Sequence, residues 1–386
     1  MTRSPLSWST RSGRARLLQL ALLAALVLGG AWLWHNTRQH LAARQIRSGF
    51  GFLSERAGFD IGEGLVPYAP SDSYLRAFAA GVGNTVRVAL CGIALATILG
   101  TLVGVGRLSH AAPVRWICTA WVEVLRNVPL ILQLLAVYLA VTELLPEAAQ
   151  PIRLAPYVYL SKGGLQLPWP VWAPGWGAAL GGLALGGAAA FGLHRRARRL
   201  RERSGHARPV LLPASAAVVV LPLAGWLLGG APHALDLPAP GPFNVAGGAG
   251  LTPEFLALLS GLTAFTSAHI AEIVRSGLLA VPHGLSEAAR ALGLSRRQVL
   301  RLVVLPQARR IIVPPLTSQF LNLTKNSSLA VAIGYPDLVS IANTAINQNG
   351  QALECILLIM SVYLTVNLAT ALGMGWYGRR VALVER

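Results

Sequence analysis

Ser286-Glu287-Ala288-Ala289-Arg290-Ala291-Leu292-Gly293, followed by Val303-Val304-Leu305-Pro306, is a helical segment set between two long apolar stretches. Ser286 can cap a first helix, and alanine and leucine propagate it. Gly293 supplies the left-handed position that ends such a helix. Ser295 and Gln298 have the spacing of a capping box for a second helix, which Pro306 interrupts. A compact helical elbow outside the bilayer, tied covalently to spans on both sides, is built to be pushed. The segment reads as a coupling element, and a coupling element implies transport.

Outward from this elbow the chain is apolar in long runs. Hydrophobic residues are 54% and charged residues 12% of the 386, against about 25% charged in soluble domains. Eight runs approach the ~20 residues a helix needs to cross the hydrocarbon core. They cover residues 17–34, 84–106, 116–144, 177–193, 209–229, 254–274, 309–334 and 353–376. The fold expected is all-α, a polytopic transmembrane helix bundle of about eight spans, with the third and seventh polar and proline-broken. The first run has basic residues before it, as a secretory signal does. Its length and the bordering Trp32 and Trp34 favour an uncleaved anchor.

The formal net charge of +18 invites a nucleic-acid partner, and its distribution argues against one. Place the N-terminus inside and alternate sides through the eight spans. The inner segments then hold most of the 33 lysines and arginines: Arg3, Arg11, Arg14 and Arg16, Arg107 and Arg115, the clusters in 195–208 and 275–310, and Arg379, Arg380 and Arg386. The outer segments hold Arg38, Arg44, Arg47, Arg56, Arg76, Arg153 and Lys162. This is the asymmetry of the positive-inside rule. It predicts both termini in the cytoplasm, with the elbow on the side where ATP is. Cys91, Cys118 and Cys355 fall in apolar spans and read as small buried hydrophobes. No spacing among the eight histidines marks a metal site, and no Ser/His/Asp arrangement stands out, so neither a metal nor a catalytic centre is expected.

The pattern Glu287-Ala288-Ala289, Gly293, then Leu305-Pro306 resembles the cytoplasmic loop of permease subunits of ATP-binding cassette (ABC) importers. Ala271-Glu272-Ile273-Val274-Arg275-Ser276-Gly277 before it and Leu323-Thr324-Lys325-Asn326-Ser327-Ser328-Leu329-Ala330 after it are similar to the polar amino-acid permeases. Gly83-Asn84-Thr85 and Arg126-Asn127-Val128-Pro129-Leu130 fit the earlier half of that pattern. With its long insertion, the chain most resembles the Q-type permease subunit of general L-amino-acid importers, over residues 75–150 and 252–386. Leu285 departs from the pattern, which usually has glutamine there, and this bears on the outer contacts of the loop. The resemblance implies a type I-like permease fold and an ATPase-docking surface at Ser286, Glu287, Ala288, Ala289 and Gly293, with Leu305 and Pro306 completing the motif. It also implies partners: ATP-binding subunits holding Mg-ATP, a second permease subunit in a heterodimer, a periplasmic solute-binding protein and an L-amino-acid substrate, at the inner membrane. An amphipathic interfacial helix and a helix-turn-helix DNA reader are the other readings of the elbow. Spans immediately before and after it make entry into a DNA groove awkward.

The organisation expected is a tail, first span and external segment over 1–83, a first core part over 84–149, an insertion over 150–251 and a second core part over 252–386 that contains the loop 284–306. The insertion is rich in glycine, alanine and proline, with two spans joined by an arginine-rich segment. Its Gly177/Gly181 and Gly182/Gly186 pairs have the small-xxx-small spacing of close helix approach, which an Ala/Gly-biased composition also produces by chance. Arg195-Arg196-Ala197-Arg198-Arg199 can hold anionic headgroups, though a topology determinant is the plainer reading.

A P-loop needs Gly-Lys-Ser/Thr to cradle phosphates. The only lysines are Lys162, before Gly163, and Lys325, before Asn326. Neither fits, so no cofactor is expected in this chain and ATP hydrolysis belongs to a separate polypeptide. A charge near a span centre costs roughly 2.5–3.5 kcal/mol on insertion scales, so polar residues there suggest a partner or a pathway. Glu272 and Arg275, three apart, read as a structural ion pair. Glu123 and Arg126 have the same spacing but are followed by Asn127, Pro129 and Gln133, and so are also candidates for a solute pathway. Asn322, Thr324, Lys325, Asn326 and Ser327 extend that candidate pathway from the seventh span, where Pro306, Pro314 and Pro315 are expected to loosen the helix. Holding two halves of a transporter together is the alternative role for Lys325 and Asn326. His269 reads as a packing histidine, and Asn367 as a helix–helix hydrogen bond. The rival from another class is a secondary carrier or channel working without ATP, for which Glu123 is the one serious coupling carboxylate. An integral membrane enzyme has no recognisable nucleophile.

Overall fold

The computed structural model describes residues 11–43, 49–204 and 210–381. Arg3, Arg44, Arg47, Arg208 and Arg386 of the charge reading lie outside the described residues. Among the described residues, five helices are long and apolar enough to cross a membrane, two bent helix pairs pass the same test together, and Leu212–Leu228 is a shorter apolar helix. The chain divides into two compact units, Met1–Leu135 with Leu258–Arg386, and Ala136–Ala257.

In the first unit, α1 (Arg11–Ala43) precedes a strap over residues 49–73 and then α2 (Tyr74–Gly106). With 33 residues at about 1.5 Å each, α2 is about 50 Å long and exceeds the ~30 Å hydrocarbon core. It begins ten residues before the expected position 84 because its first turns are held by the strap. Phe52 packs edge-on against Tyr74 and Phe78 at 5.5 and 6.4 Å between ring centres. Further along, α2 lies against α7 (Pro253–Leu279) and α10 (Leu305–Asn326) through Ala89, Ala96, Ile270, Val274 and Leu323. It also lies against α3 (Ala112–Asn127) through Val103 and Val122. A Cβ on Gly104 would stand 2.6 Å from the Ala271 carbonyl oxygen, so only glycine permits this approach. Between lipid-embedded helices, such close packing replaces the hydrophobic drive available in water.

The end contacts fix helix directions. The Gly49 amide donates to Glu354 Oε1 at 2.6 Å, joining the strap that precedes α2 to the start of α12 (Ala352–Val381). Arg107, just after α2, meets Glu272 near the end of α7. Thus α2, α7 and α12 run the same way, as alternation through the expected spans requires.

Both bent pairs differ from simple spans. Val128 before Pro129 takes the extended conformation (φ −98°, ψ 130°) that a following proline favours. It separates α3 from α4 (Leu130–Leu139), and the axes of this pair bend by 107°. The seventh span is not broken at its prolines. Pro306 lies in the first turn of α10, after a widened π turn at Leu300–Val304, and Pro314 and Pro315 sit within the continuous helix. A widened turn accommodates the missing donor and the ring. The bend, 51°, comes later, after a 3-10 stretch at Ser327–Ile333 and Gly334 at φ +79°. Asp337 then caps α11 (Leu338–Asn349), its Oδ1 accepting from the Ser340 amide at 2.8 Å.

In the second unit, α5 (Pro174–Ser204) and α6 (Leu211–Leu228) form a hairpin. Cβ atoms on Gly182 and Gly186 would collide with the Leu221 and Ala217 carbonyls, whereas Gly177 and Gly181 have nothing within 4 Å. One small-residue pair therefore makes the contact and the other faces away. The segments flanking the hairpin add short strands to the helical fold. A four-stranded antiparallel sheet has the order β1 (Ile152–Ala155), β2 (Val158–Ser161), β3 (Gly164–Leu167), β8 (Ala249–Leu251). Two ribbons pair β4 (Trp169–Pro170) with β5 (Leu235–Asp236) and β6 (Ala239–Pro240) with β7 (Val245–Ala246). Strands on both sides of the hairpin thus pair with one another, which sets the start of α5 beside the end of α6.

The three cysteines are free thiols, and Cys91 is exposed on α2 rather than buried as expected; Cys355 is buried. His269 Nδ1 lies 3.0 Å from the Phe265 carbonyl. Among the described residues Asn367 Oδ1 is buried without a hydrogen-bond partner.

Candidate functional site

The elbow that the sequence singles out is two short helices between α7 and α10. The first, α8 (His283–Ala291), starts after Pro282, so Ser286 is inside the helix and does not cap it. Pro282, with φ −57°, sets the entry and the helix begins one turn early. The other end closes as a Schellman turn: the Gly293 amide bonds to the Arg290 carbonyl at 2.8 Å, and the Leu294 amide to the Ala289 carbonyl at 3.2 Å. Gly293 has φ +81°. The second helix, α9 (Arg296–Val299), opens with a reciprocal capping box, Ser295 Oγ accepting from the Gln298 amide at 3.4 Å and Gln298 Oε1 from the Ser295 amide at 2.8 Å. It continues through the π turn, so Leu305 and Pro306 begin α10 and do not end α9.

This capping leaves a definite outer surface. Ala289 and Val299 are buried, whereas Glu287, Ala288, Arg290 and Gly293 are exposed. Leu292, at the turn, is 83% exposed. The sequence reading passed over Leu292; its signal is a leucine at the helix C-cap next to glycine, where nothing in the turn covers it. Behind the elbow, His110 from the α2–α3 loop joins Ser286, Arg290, Arg296 and Leu300 in lining a groove of about 480 Å³.

The lever is anchored at its root. Glu272 receives Arg275 at 2.6 Å and also Arg107 from the end of α2. Glu123 lies 3.9 Å from Arg107 and makes no ion pair with Arg126 among the described residues, contrary to the spacing argument. Spacing along one helix could not expose Arg107, which comes from another. The four charges Glu123, Arg107, Glu272 and Arg275 tie α2, α3 and α7 together just before the chain enters the elbow.

The candidate pathway residues separate into two groups. Gln133 is buried and its Nε2 donates to the Leu125 and Val128 carbonyls at 2.8 and 2.9 Å, replacing the donors lost at the α3–α4 break. Thr324 and Ser327 are buried and donate to the carbonyls of Phe320 and Thr324. These three turn into the chain and hold its backbone. Glu123, Arg126 and Asn127 on α3, with Asn322 and Lys325 on α10, are exposed, and Asn326 is half-buried. Exposure of charged and amide side chains along membrane helices means that a surface beyond this chain, or an aqueous path, must receive them.

The fold is a bent-span helical bundle with a capped elbow rooted in an ion network, and sequence comparison decides the family. Residues 92–383 match the model of the family described as binding-protein-dependent transport system inner membrane component. The chain belongs to this family. The permease is 43% identical over 385 residues to the general L-amino acid transport system permease protein AapQ of Rhizobium johnstonii, covering 98% of this chain and 96% of the relative. It is 44% identical over 383 residues to the putative amino-acid ABC transporter permease protein YhdX of Escherichia coli, covering 99% and 97%. The glutamate/glutamine/aspartate/asparagine transport system permease protein BztB of Rhodobacter capsulatus is 39% identical over 415 residues, covering 99% of this chain and 97% of that protein.

Proposed function

We propose that this permease is the translocating subunit of an ABC importer for L-amino acids, driven by ATP hydrolysis on a separate subunit that grips the α8–α9 elbow. The observation that carries the proposal is the elbow: a Schellman-capped helix that exposes Glu287, Ala288 and Leu292 at one end of two membrane helices. Force applied there enters α7 and α10 directly. Through Glu272 and Arg107 it also reaches α2 and α3. In this reading both termini and the elbow are cytoplasmic and the strap 49–73 faces the periplasm. A solute-binding protein delivers the amino acid there, and a second permease subunit supplies the other wall of the path.

Motor closure displaces the elbow, and the bent pairs α3–α4 and α10–α11 move with it. Each already carries its break, satisfied by Gln133 at one and capped by Asp337 at the other, so motion costs no further backbone hydrogen bonds. Exposed Glu123, Arg126, Asn127, Asn322 and Lys325, with half-buried Asn326, present both charge signs and amides, which suit a solute with a carboxylate and an ammonium group. The test is Glu287→Lys in the assembled transporter. Insertion and assembly of the membrane subunits remain intact, while uptake and solute-stimulated ATPase are lost. Normal uptake by this variant refutes the docking role.

A further inference from the structure

The basic end of α5 lies outside the transport reading. Between Trp176 and Arg195 the helix carries no Asp, Glu, Lys or Arg. At about 1.5 Å per residue these two positions stand about 29 Å apart, close to the ~30 Å thickness of the hydrocarbon core. The far end is framed independently: Trp172 is exposed just before α5, and Trp226, in the last turns of α6, donates its Nε1 to the Pro232 carbonyl at 3.2 Å. Tryptophans gather at this level because one edge of the indole is apolar and the other wet.

From Arg195 the chain does not turn back. It stays helical to Ser204, about 14 Å beyond the hydrocarbon edge. This extension includes Arg195, Arg196, Arg198, Arg199, Arg201 and Arg203, with Glu202 as its one acidic residue. Arg195, Arg196 and Arg199 are exposed, and Arg199 stands one helical turn beyond each of the other two, at i+4 and i+3. The Arg195 guanidinium sits over the Phe191 ring, 5.1 Å from its centre, which holds the charge at the boundary of the apolar stretch. Setting topology requires the charges alone and works from an irregular loop. Guanidinium groups fixed on a helix at the depth of the phosphates form a surface.

We propose that Arg195, Arg196 and Arg199 form a binding site for the phosphate headgroups of anionic phospholipids. Arginine pairs with phosphate through two parallel N–H bonds. The helix supplies such forks at the level where phosphodiesters stand in the adjoining leaflet. Each basic residue near a membrane surface favours anionic lipid by about fivefold, so three lost together weaken retention by about a hundredfold on that scale. The experiment is native mass spectrometry of the full chain with its co-purified partners, released from nanodiscs of phosphatidylcholine containing phosphatidylglycerol. Wild type retains phosphatidylglycerol preferentially, and the preference falls as salt is raised. The triple variant R195Q/R196Q/R199Q loses it, and the triple lysine variant keeps most of it. No preference in wild type, a preference insensitive to salt, or full retention by the glutamine variant would overturn the proposal; each would mean that the arginines serve topology alone.

Discussion

Substituting Gly293 isolates the backbone of the elbow from its side-chain contacts. Its φ of +81° is a left-handed conformation, and a Cβ there would meet nothing within 4 Å. Sterics with neighbours therefore contribute no penalty, and the whole effect is conformational. An L-residue in this region costs roughly 1–2 kcal/mol, asparagine less and β-branched residues more. If the turn opens to relieve that strain, it also loses the bonds from the Gly293 and Leu294 amides, each contributing about 0.5–1.5 kcal/mol. Gly293→Ala should thus cost about 1–2 kcal/mol and Gly293→Val about 2–4 kcal/mol. A shift of 2 kcal/mol changes the ratio of formed to opened elbow about thirtyfold. The assay is solute uptake and stimulated ATPase by the assembled transporter in proteoliposomes, normalised to inserted protein. Activity should rank glycine, asparagine, alanine, valine, with valine nearly inactive and the basal ATPase unaffected. Equal activity across the series would refute the claim that the left-handed turn holds the docking surface in shape.

Three further outcomes follow from particular contacts. Arg107→Gln and Glu272→Gln should each lower the melting temperature of the detergent-solubilised chain, and the double variant should fall short of their sum by about 0.5–3 kcal/mol, because both remove one interaction; strict additivity would show the contact to be energetically idle. Gln133→Ala leaves the Leu125 and Val128 carbonyls without their donor and should destabilise by about 1–3 kcal/mol, with new proteolytic cleavage near Val128; an unchanged digestion pattern counts against a stapling role. Gly182→Val and Gly186→Val should force α5 and α6 apart while Gly177→Val and Gly181→Val do not, read out by cysteine cross-linking between the two helices; equal effects at all four positions would dissociate the contact from these glycines.

The parts of this fold that were legible in the sequence are those fixed by local chemistry. Gly293 at φ +81° and the Ser295–Gln298 box are backbone requirements written into one or two residues. The apolar runs were equally readable, because a span needs only length and low polarity. Long-range partners were not readable. Glu123 bonds toward Arg107 rather than its helical neighbour Arg126, and Gln133 points at the carbonyls that Pro129 leaves open. Proline differed in one direction: a break was expected at Pro306, Pro314 and Pro315, yet the π turn at Leu300–Val304 precedes Pro306, the helix runs on through Pro314 and Pro315, and the bend falls after Ile333. The strands of the second unit, two to four residues each, lack the alternation that marks a strand in sequence. In the candidate site, the motif indicated the elbow but not Leu292, whose exposure follows from the turn geometry alone.

The central claim is that the elbow is gripped from the cytoplasm by an ATP-hydrolysing partner. Replace Cys91, Cys118 and Cys355 with serine, place a single cysteine at Leu292, and label it with a membrane-impermeant maleimide in vesicles of each orientation. The account predicts modification only from the cytoplasmic face, and protection there when the ATPase subunit is bound. Labelling from the periplasmic face, or equal labelling with and without that subunit, contradicts it.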